Sequence, residues 1–266
     1  TIELQQGANL ISFHALPIDL SVNTIFSSLG DNAKYIIAEG AGAFNQSGIW
    51  YGSLQTITAH NGYWLIIAED ALLTIADAVP TSSGENILEY NLHPGNNLIS
   101  YPFSAGQDIN EAIDGIYLNS IFAIAGSGVA AQYVNGIWYG SLDYLNPSAG
   151  YWMVAYENAQ FQFNQPDYDA PPRNSSGSRN DAPDLFTFTQ SPYQAFYWVA
   201  DADIDGIPMV VGEDWIGAFY GDVCIGARGW SGMSTYGIPT DIPVMGFDDA
   251  IEATQNYIVA GEYPRF

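Results

Sequence analysis

The sequence predicts a mainly β protein: two tandem β-rich repeats with a short helix each, followed by a C-terminal antiparallel β-sandwich. Three observations support this fold class: sequence blocks that return at one fixed offset, short strand-like runs between turn residues, and a polar stretch that precedes a different C-terminal segment. The 266 residues are 48% hydrophobic and 14% aromatic, enough to bury several cores. We therefore expect repeats at 1–80 and 81–164, a linker at 165–184 and the sandwich at 185–266.

An internal duplication is the strongest organisational signal. Gly7 corresponds to Gly95, an offset of 88 residues, and the same offset holds for two further blocks. Because the offset stays constant over widely separated blocks, a tandem duplication explains it better than chance. The paired blocks are 7–12 with 95–100, 48–54 with 136–142, and 62–64 with 150–152.

Each repeat contains strand-like runs and one helical candidate. The runs 9–13, 34–38 and 63–68 are rich in β-branched and aromatic residues and are bounded by Gly, Asn or Asp, which predicts strands. The stretches 22–29 and 110–116 have Asn or Asp available to begin a helix, so we expect one short helix in each repeat.

The segment 165–184 has the composition of a linker, with many Pro, Ser, Asn and Asp residues and almost nothing apolar to bury. New sequence follows it, in which strand-like runs alternate with Gly and Asp turns. An antiparallel sandwich is the simplest packing for such short strands without long helices. The predicted strands are 185–189, 195–200, 215–219 and 223–227.

These motifs resemble those of a known group of proteins. The GxNLIS opening at 7–12, the GIWYGSL block at 48–54 and the GYW strand at 62–64 are similar to a repeat of large, secreted, multi-modular bacterial surface proteins, over residues 1 to about 163. The blocks 194–197, 214–219, 221–224 and 243–246 are similar to a module that often accompanies such repeats. The resemblance implies an extracellular location and a modular architecture, but no catalytic residue and no specific ligand.

The charge balance excludes several partners. The chain has 29 acidic and five basic residues, with a formal net charge of −24. Such a surface repels phosphate backbones and anionic lipid, so we expect no nucleic-acid partner. No stretch approaches the roughly 20 apolar residues of a spanning helix, so we also expect no membrane insertion. Acidic surfaces suit divalent cations, although many serve only solubility.

A candidate calcium loop begins at Asp201. Its carboxylates alternate and are followed by Gly206, as in the first half of a calcium-binding loop, where oxygen atoms converge on the cation. The second half departs from that pattern, because the twelfth position is Gly212 rather than Glu. The alternative is a plain hairpin with solvated carboxylates. The candidate calcium ligands are Asp201, Asp203, Asp205, Glu213 and Asp214.

Aromatic pairs provide a candidate ligand-binding surface. Exposed rings stack on the apolar faces of sugars, while neighbouring polar groups bind hydroxyls. Neighbours along a strand face opposite sides, so at most one member of each pair belongs to the core, and packing alone also explains the duplication. Trp64 and Trp152 lie within apolar strands and are expected in the cores. The candidate ligand-binding residues are Trp50, Tyr51, Trp138, Tyr139 and Trp215.

The sequence offers no recognisable catalytic or zinc motif. His14, His60 and His93 occupy non-equivalent positions of the two repeats, so we expect surface or packing histidines. Cys224 is the only cysteine, which excludes an intrachain disulfide and predicts a small buried side chain.

We therefore predict a secreted or cell-surface protein that is not an enzyme. Its first candidate function is adhesion or polysaccharide binding, with calcium as a possible cofactor. The alternatives are a self-assembling subunit of an extracellular fibre, sheath or surface layer, whose partners are copies of itself, and accessory modules of a larger secreted hydrolase.

Overall fold

The computed structural model of the chain describes residues 1–117, 119–168, 182–233 and 239–266. These residues form antiparallel sheets with few helical turns, which confirms the predicted mainly β fold class. Residues 169–181 of the predicted linker lie outside the described residues. No helix in the described ranges is long and apolar enough to cross a membrane.

The first repeat is built on a five-stranded antiparallel sheet in the order β2-β7-β4-β5-β6. Two short antiparallel pairs, β1 with β8 and β3 with β9, accompany this sheet. The strands β1 to β9 are Ile2–Leu4, Gly7–Ile11, Ala15–Leu16, Ala33–Ala38, Ala41–Gln46, Ile49–Gly52, Tyr63–Ile67, Ala71–Leu73 and Val79–Pro80.

The second repeat has the same topology, with the sheet order β11-β17-β13-β14-β15. The pairs β10 with β18 and β12 with β16 correspond to the short pairs of the first repeat. Its strands β10 to β18 are Tyr90–Leu92, Gly95–Ser100, Gln107–Asp108, Ile121–Ala125, Ala130–Val134, Ile137–Gly140, Tyr144–Leu145, Gly150–Ala155 and Ala159–Phe161.

Within the described residues, each repeat contains one α-helical turn near the predicted position. Helix α1 covers Val22–Ile25 and begins at Ser21, whose Oγ accepts a hydrogen bond from the Thr24 N–H at 3.3 Å. Helix α2 covers Ile109–Ala112. Both helices continue into short 3₁₀ turns, so the predicted helical stretches are correct in place but only partly α-helical.

The two repeats meet through reciprocal backbone contacts. The Ser12 N–H donates to the Ser148 carbonyl at 2.8 Å, and the Ser100 N–H donates to the His60 carbonyl at 2.9 Å. Since Ser100 and Ser148 are the equivalents of Ser12 and His60, each repeat uses the same surface, as in an isologous dimer. Gly62 and its equivalent, Gly150, face each other here, since a Cβ on Gly62 would lie only 3.3 Å from the Cα of Gly150.

The C-terminal segment, here called the C-terminal module, contains two-stranded antiparallel sheets that share one core. Strand β19 pairs with β24, β22 pairs with β23, and a hairpin joins β20 to β21. The predicted strand at 185–189 is wrong, because 184–186 form a 3₁₀ turn and 187–189 are irregular. Strands β19 to β24 are Gln194–Val199, Asp203–Ile204, Ile207–Pro208, Trp215–Tyr220, Val223–Gly229 and Thr240–Met245.

Each repeat and the module has its own buried cluster. Leu65 and Met153 lie in the clusters of the first and second repeats, and Ile242 lies in that of the module. Cys224 is buried, as predicted. A fourth cluster joins the three units where Trp64 of the first repeat meets Leu98 of the second and Ile251 of the module.

Candidate functional site

A groove of about 680 Å³ lies between the sheet of the second repeat and the C-terminal module. Trp152 on β17 lines it from the side of the repeat, and Tyr193 and Phe247 line it from the module. Asn96 and Glu262 add an amide and a carboxylate to the lining. Its volume falls within the range of small-molecule sites in proteins.

Trp152 of the second repeat is less buried than its equivalent in the first repeat. Its equivalent in the first repeat, Trp64, is only 1% exposed and packs in the cluster that contains Ile251. Trp152 is only partly buried and faces the groove. The prediction that both tryptophans belong to cores is therefore correct for Trp64. Trp152 packs against the same cluster but is only partly buried, because one side of it lines the groove.

A buried carboxylate holds the module against the second repeat. Asp241 on β24 is 3% exposed and accepts hydrogen bonds from the Ser141 N–H at 2.9 Å and from the Ser141 hydroxyl at 2.6 Å. Arg228 donates to Asp241 Oδ2 at 3.1 Å and to the Gly128 carbonyl at 2.6 Å. Burial raises the pKa of Asp241, and the Arg228 guanidinium opposes that shift. The ion pair and its hydrogen bonds thus tie the module to the second repeat.

Gln194 adds a second polar connection at the groove. Its Oε1 accepts a hydrogen bond from the Gly128 N–H at 3.1 Å, and its Nε2 donates to the Gly126 carbonyl at 2.9 Å. Both glycines belong to the turn between β13 and β14. Since Gln194 also lines the groove, these bonds hold a groove residue of the module against the second repeat.

Glu262 is held in place at the rim of the groove. Its Oε1 accepts a hydrogen bond from the Tyr220 hydroxyl at 2.7 Å, and its Oε2 accepts one from the Val259 N–H at 3.3 Å. Each carboxylate oxygen keeps acceptor capacity beyond these bonds. The rim can therefore accept hydrogen bonds from a ligand with several hydroxyl groups.

The structure separates the members of the predicted aromatic pairs. Trp50 and Trp138 are 8% and 5% exposed, because they pack inward against Phe26 and Tyr133 respectively. They are core residues and have no ring face free for a ligand, which corrects their place among the candidate ligand-binding residues.

The other predicted ligand-binding residues lie at separate places on the molecule. Tyr51 is 46% exposed on the first repeat, whereas Tyr139, its equivalent, is partly buried. Trp215 is partly buried and stacks on Phe186, with ring centroids 6.3 Å apart. None of these three lines the groove. Sequence reasoning missed Asn96, Tyr193 and Glu262, because the groove forms between segments far apart in the chain.

Two of the predicted calcium ligands, Asp203 and Asp205, lie within the hairpin of β20 and β21, and Asp201, Glu213 and Asp214 lie before and after it. Asp203 Oδ1 accepts a hydrogen bond from the Gly206 N–H at 2.7 Å, and Asp214 Oδ2 accepts one from the Val210 N–H at 2.6 Å. Within the described ranges, no group of three or more His, Cys, Asp or Glu residues is placed to hold a metal ion. Calcium binding at this hairpin stays a prediction.

Comparison with known proteins finds no relative of this chain. The chain matches no protein-family model, no curated protein and no solved structure.

Proposed function

We propose that this chain is a secreted or cell-surface binding protein without catalytic activity, and that its groove binds a neutral saccharide. The observation that carries this proposal is the accessible indole of Trp152 in a groove that also contains Tyr193 and polar side chains. The extracellular location rests on the resemblance of the repeats to modules of secreted bacterial surface proteins.

The lining of the groove suits a sugar ring. Aromatic rings such as those of Trp152 and Tyr193 stack on the apolar face of a pyranose, and this contact needs no charge. The amide of Asn96 and the carboxylate of Glu262 bond hydroxyl groups at the ring edge. A largely apolar site with a few polar groups that set orientation is the usual composition of a small-ligand pocket.

The charge of the protein restricts the saccharide to a neutral one. The net charge is −24, and Glu262 lies in the lining itself. Acidic polysaccharides would be repelled both at long range and at the rim. Neutral hexose polymers carry hydroxyl donors for Glu262 and have no charge to repel, so we expect these to bind.

The test compares two exposed tyrosines. Tyr193 is 64% exposed and lines the groove, whereas Tyr51 is 46% exposed on the first repeat, so neither substitution should disturb the fold. Soluble glucan, mannan and polyuronate are titrated into the wild-type protein and into Tyr193→Ala and Tyr51→Ala by isothermal calorimetry. We expect a neutral polymer to bind and Tyr193→Ala to weaken it by roughly tenfold, the worth of one aromatic contact.

Tyr51→Ala is the matched control and should bind like the wild type. Preferred binding of polyuronate would contradict the proposal. A loss of affinity in Tyr51→Ala alone would place the saccharide site on the first repeat. Equal affinity of all three proteins would show that the groove is not the site.

A further inference from the structure

The outer side of the first repeat's sheet carries a set of exposed apolar side chains, here called the first-repeat face. Tyr35 of β4 lies opposite Phe44 of β5, which lies opposite Tyr51 of β6. The rings of Phe44 and Tyr51 stack with centroids 5.6 Å apart. Ile37 and Ile49 extend the patch on these strands, and all five residues are at least 36% exposed. An exposed patch of this kind marks an interaction site.

In the second repeat, the C-terminal module is bonded beside the surface that corresponds to the first-repeat face, where Ile137 is itself 38% exposed. The turn at Gly128 and the side chain of Ser141 make these bonds. The equivalents in the first repeat, Gly40 and Ser53, are exposed. Ser53 still accepts a hydrogen bond from the Gly42 N–H at 3.2 Å, as Ser141 does from the Ala130 N–H. The first repeat therefore keeps the local geometry of a docking surface but has no module upon it.

A second exposed apolar set lies on the C-terminal module and is here called the C-terminal ridge. Ile204 and Ile207 are directly paired across the β20–β21 hairpin, so their side chains lie on one face. They are 55% and 70% exposed. Val210 and Val211, which follow the hairpin in the chain, are 49% and 61% exposed. These β-branched side chains offer a rigid apolar surface.

We propose that the first-repeat face of one copy binds the C-terminal ridge of a second copy. Both surfaces are exposed within one chain, so neither covers the other there. The side of the module around Asp241 is already occupied by its own second repeat, which leaves the ridge for a neighbouring copy. Because the two surfaces differ, the contact is heterologous and produces open chains or rings rather than closed dimers.

Charge supports a second copy as the occupant. Lys34, the only basic residue in 1–80, is exposed beside Tyr35, and the ridge hairpin carries Asp203 and Asp205 next to its isoleucines. This local attraction orients the two copies, whereas their net charge of −24 each opposes approach. Added salt screens the long-range repulsion more than the close contact, so association should strengthen with ionic strength.

The test uses one variant for each surface. Ile49→Asp alters the first-repeat face and Ile207→Asp alters the ridge, and both side chains are more than half exposed. Ile116→Asp, at a 74% exposed isoleucine outside both surfaces, is the control. Sedimentation velocity and negative-stain electron microscopy follow the full chain over a concentration series in 0.5 M salt. We expect the wild type and the control to form chains or rings, and each surface variant to raise the dissociation constant more than tenfold.

Mixing the two surface variants gives the decisive result. Ile49→Asp keeps an intact ridge and Ile207→Asp keeps an intact face, so one contact can form between them and the mixture should stop at a 1:1 dimer. A wild type that stays monomeric throughout overturns the proposal, as do variants that assemble normally or a mixture that stays monomeric or forms longer assemblies. This result does not depend on the groove, because Tyr193→Ala should assemble like the wild type.

Discussion

Glu39 illustrates how one residue difference between the repeats changes a contact. Its Oε2 accepts a hydrogen bond from the Leu98 N–H at 2.9 Å, and its Oε1 lies 2.6 Å from His93 Nε2. The equivalent position in the second repeat is Ser127, whose shorter side chain lines an open cavity beside the start of the first repeat. The backbone bonds of the interface are therefore reciprocal, whereas the Glu39 position differs between the two repeats.

The Glu39–His93 contact predicts a pH effect. The hydrogen bonds of His93 with the Pro94 carbonyl and with Glu39 raise its pKa above the ordinary value of 6.5. We expect Glu39→Gln to lower that pKa toward 6.5. Because the folded pKa is the higher one, the stabilisation is present below the unfolded value and is lost as pH rises through the folded value. The substitution should therefore cost more stability at pH 6 than at pH 9.

Titration of the histidine rings by NMR measures this effect directly. His14, whose pKa is lowered by burial, lies at the other side of the interface against Ser148 and serves as the internal reference. Its titration should not move in Glu39→Gln. An unchanged pKa of His93 would show that Glu39 does not stabilise the imidazolium.

Among the structural elements, the β14–β15 hairpin depends on a glycine of the repeated GIWYGSL block. Gly140 has φ +139°, and a Cβ there would overlap the Ala130 carbonyl oxygen. Its equivalent, Gly52, has φ +146° and the same conflict with the Gly42 carbonyl. The close approach of Gly140 to Ala130 lets the end of β15 pair with β14. The next residue, Ser141, donates to Asp241. This explains why the second glycine of the block occurs in both repeats.

Gly140→Ala should therefore be strongly destabilising, by about 3 kcal/mol or more, since it combines a backbone clash with strain. Gly136→Ala in the same hairpin is the control. Gly136 has φ +96°, and its nearest neighbour would be 3.9 Å from a Cβ, so only the backbone cost of about 1–2 kcal/mol applies. Urea denaturation of both variants measures the difference. Equal losses would mean that the contact with Ala130 relaxes freely.

Three strands and the helical stretch of each repeat could be predicted from sequence because their signals are local. The run 34–38 and strand β4 at Ala33–Ala38 differ by one residue. Helix α2 begins at an Asp, as expected, whereas α1 begins at Ser21 rather than at an Asn or Asp. The 185–189 run failed, because its alternating apolar residues do not pair as a strand and its first part forms a 3₁₀ turn. Strand β24 was missed, since Pro243 within it argues against a strand.

For the whole molecule, the arrangement of the units could not be predicted. The duplication indicates two similar folds but does not specify that Gly62 packs against its own equivalent, nor that Ile251 fills the space next to Trp64. Such contacts join residues that are far apart in the chain and depend on shape. The candidate groove at Trp152 is formed by that arrangement, so it could not be predicted from the sequence either.

The second repeat and the C-terminal module should stay associated after the chain between them is cleaved. The predicted linker contains Arg173 and Arg179. Lys34 lies within strand β4 and Arg228 is held by hydrogen bonds to Asp241 and Gly128, so we expect trypsin to cut the linker first. The bonds of Asp241, Arg228 and Gln194 remain after cleavage. We therefore expect the two fragments to elute together in gel filtration at micromolar concentration.

Ser141→Ala tests what holds the cleaved fragments together. The substitution removes the hydroxyl that donates to the buried Asp241 carboxylate, a loss of about 1.5–3 kcal/mol for a hydrogen bond to a charged group. The fragments should then dissociate at concentrations roughly 10- to 100-fold higher than in the wild type. Ser53→Ala, at the equivalent exposed position of the first repeat, should leave co-elution unchanged. Wild-type fragments that separate at once, or equal effects of the two substitutions, would show that the Asp241 contact does not hold the module.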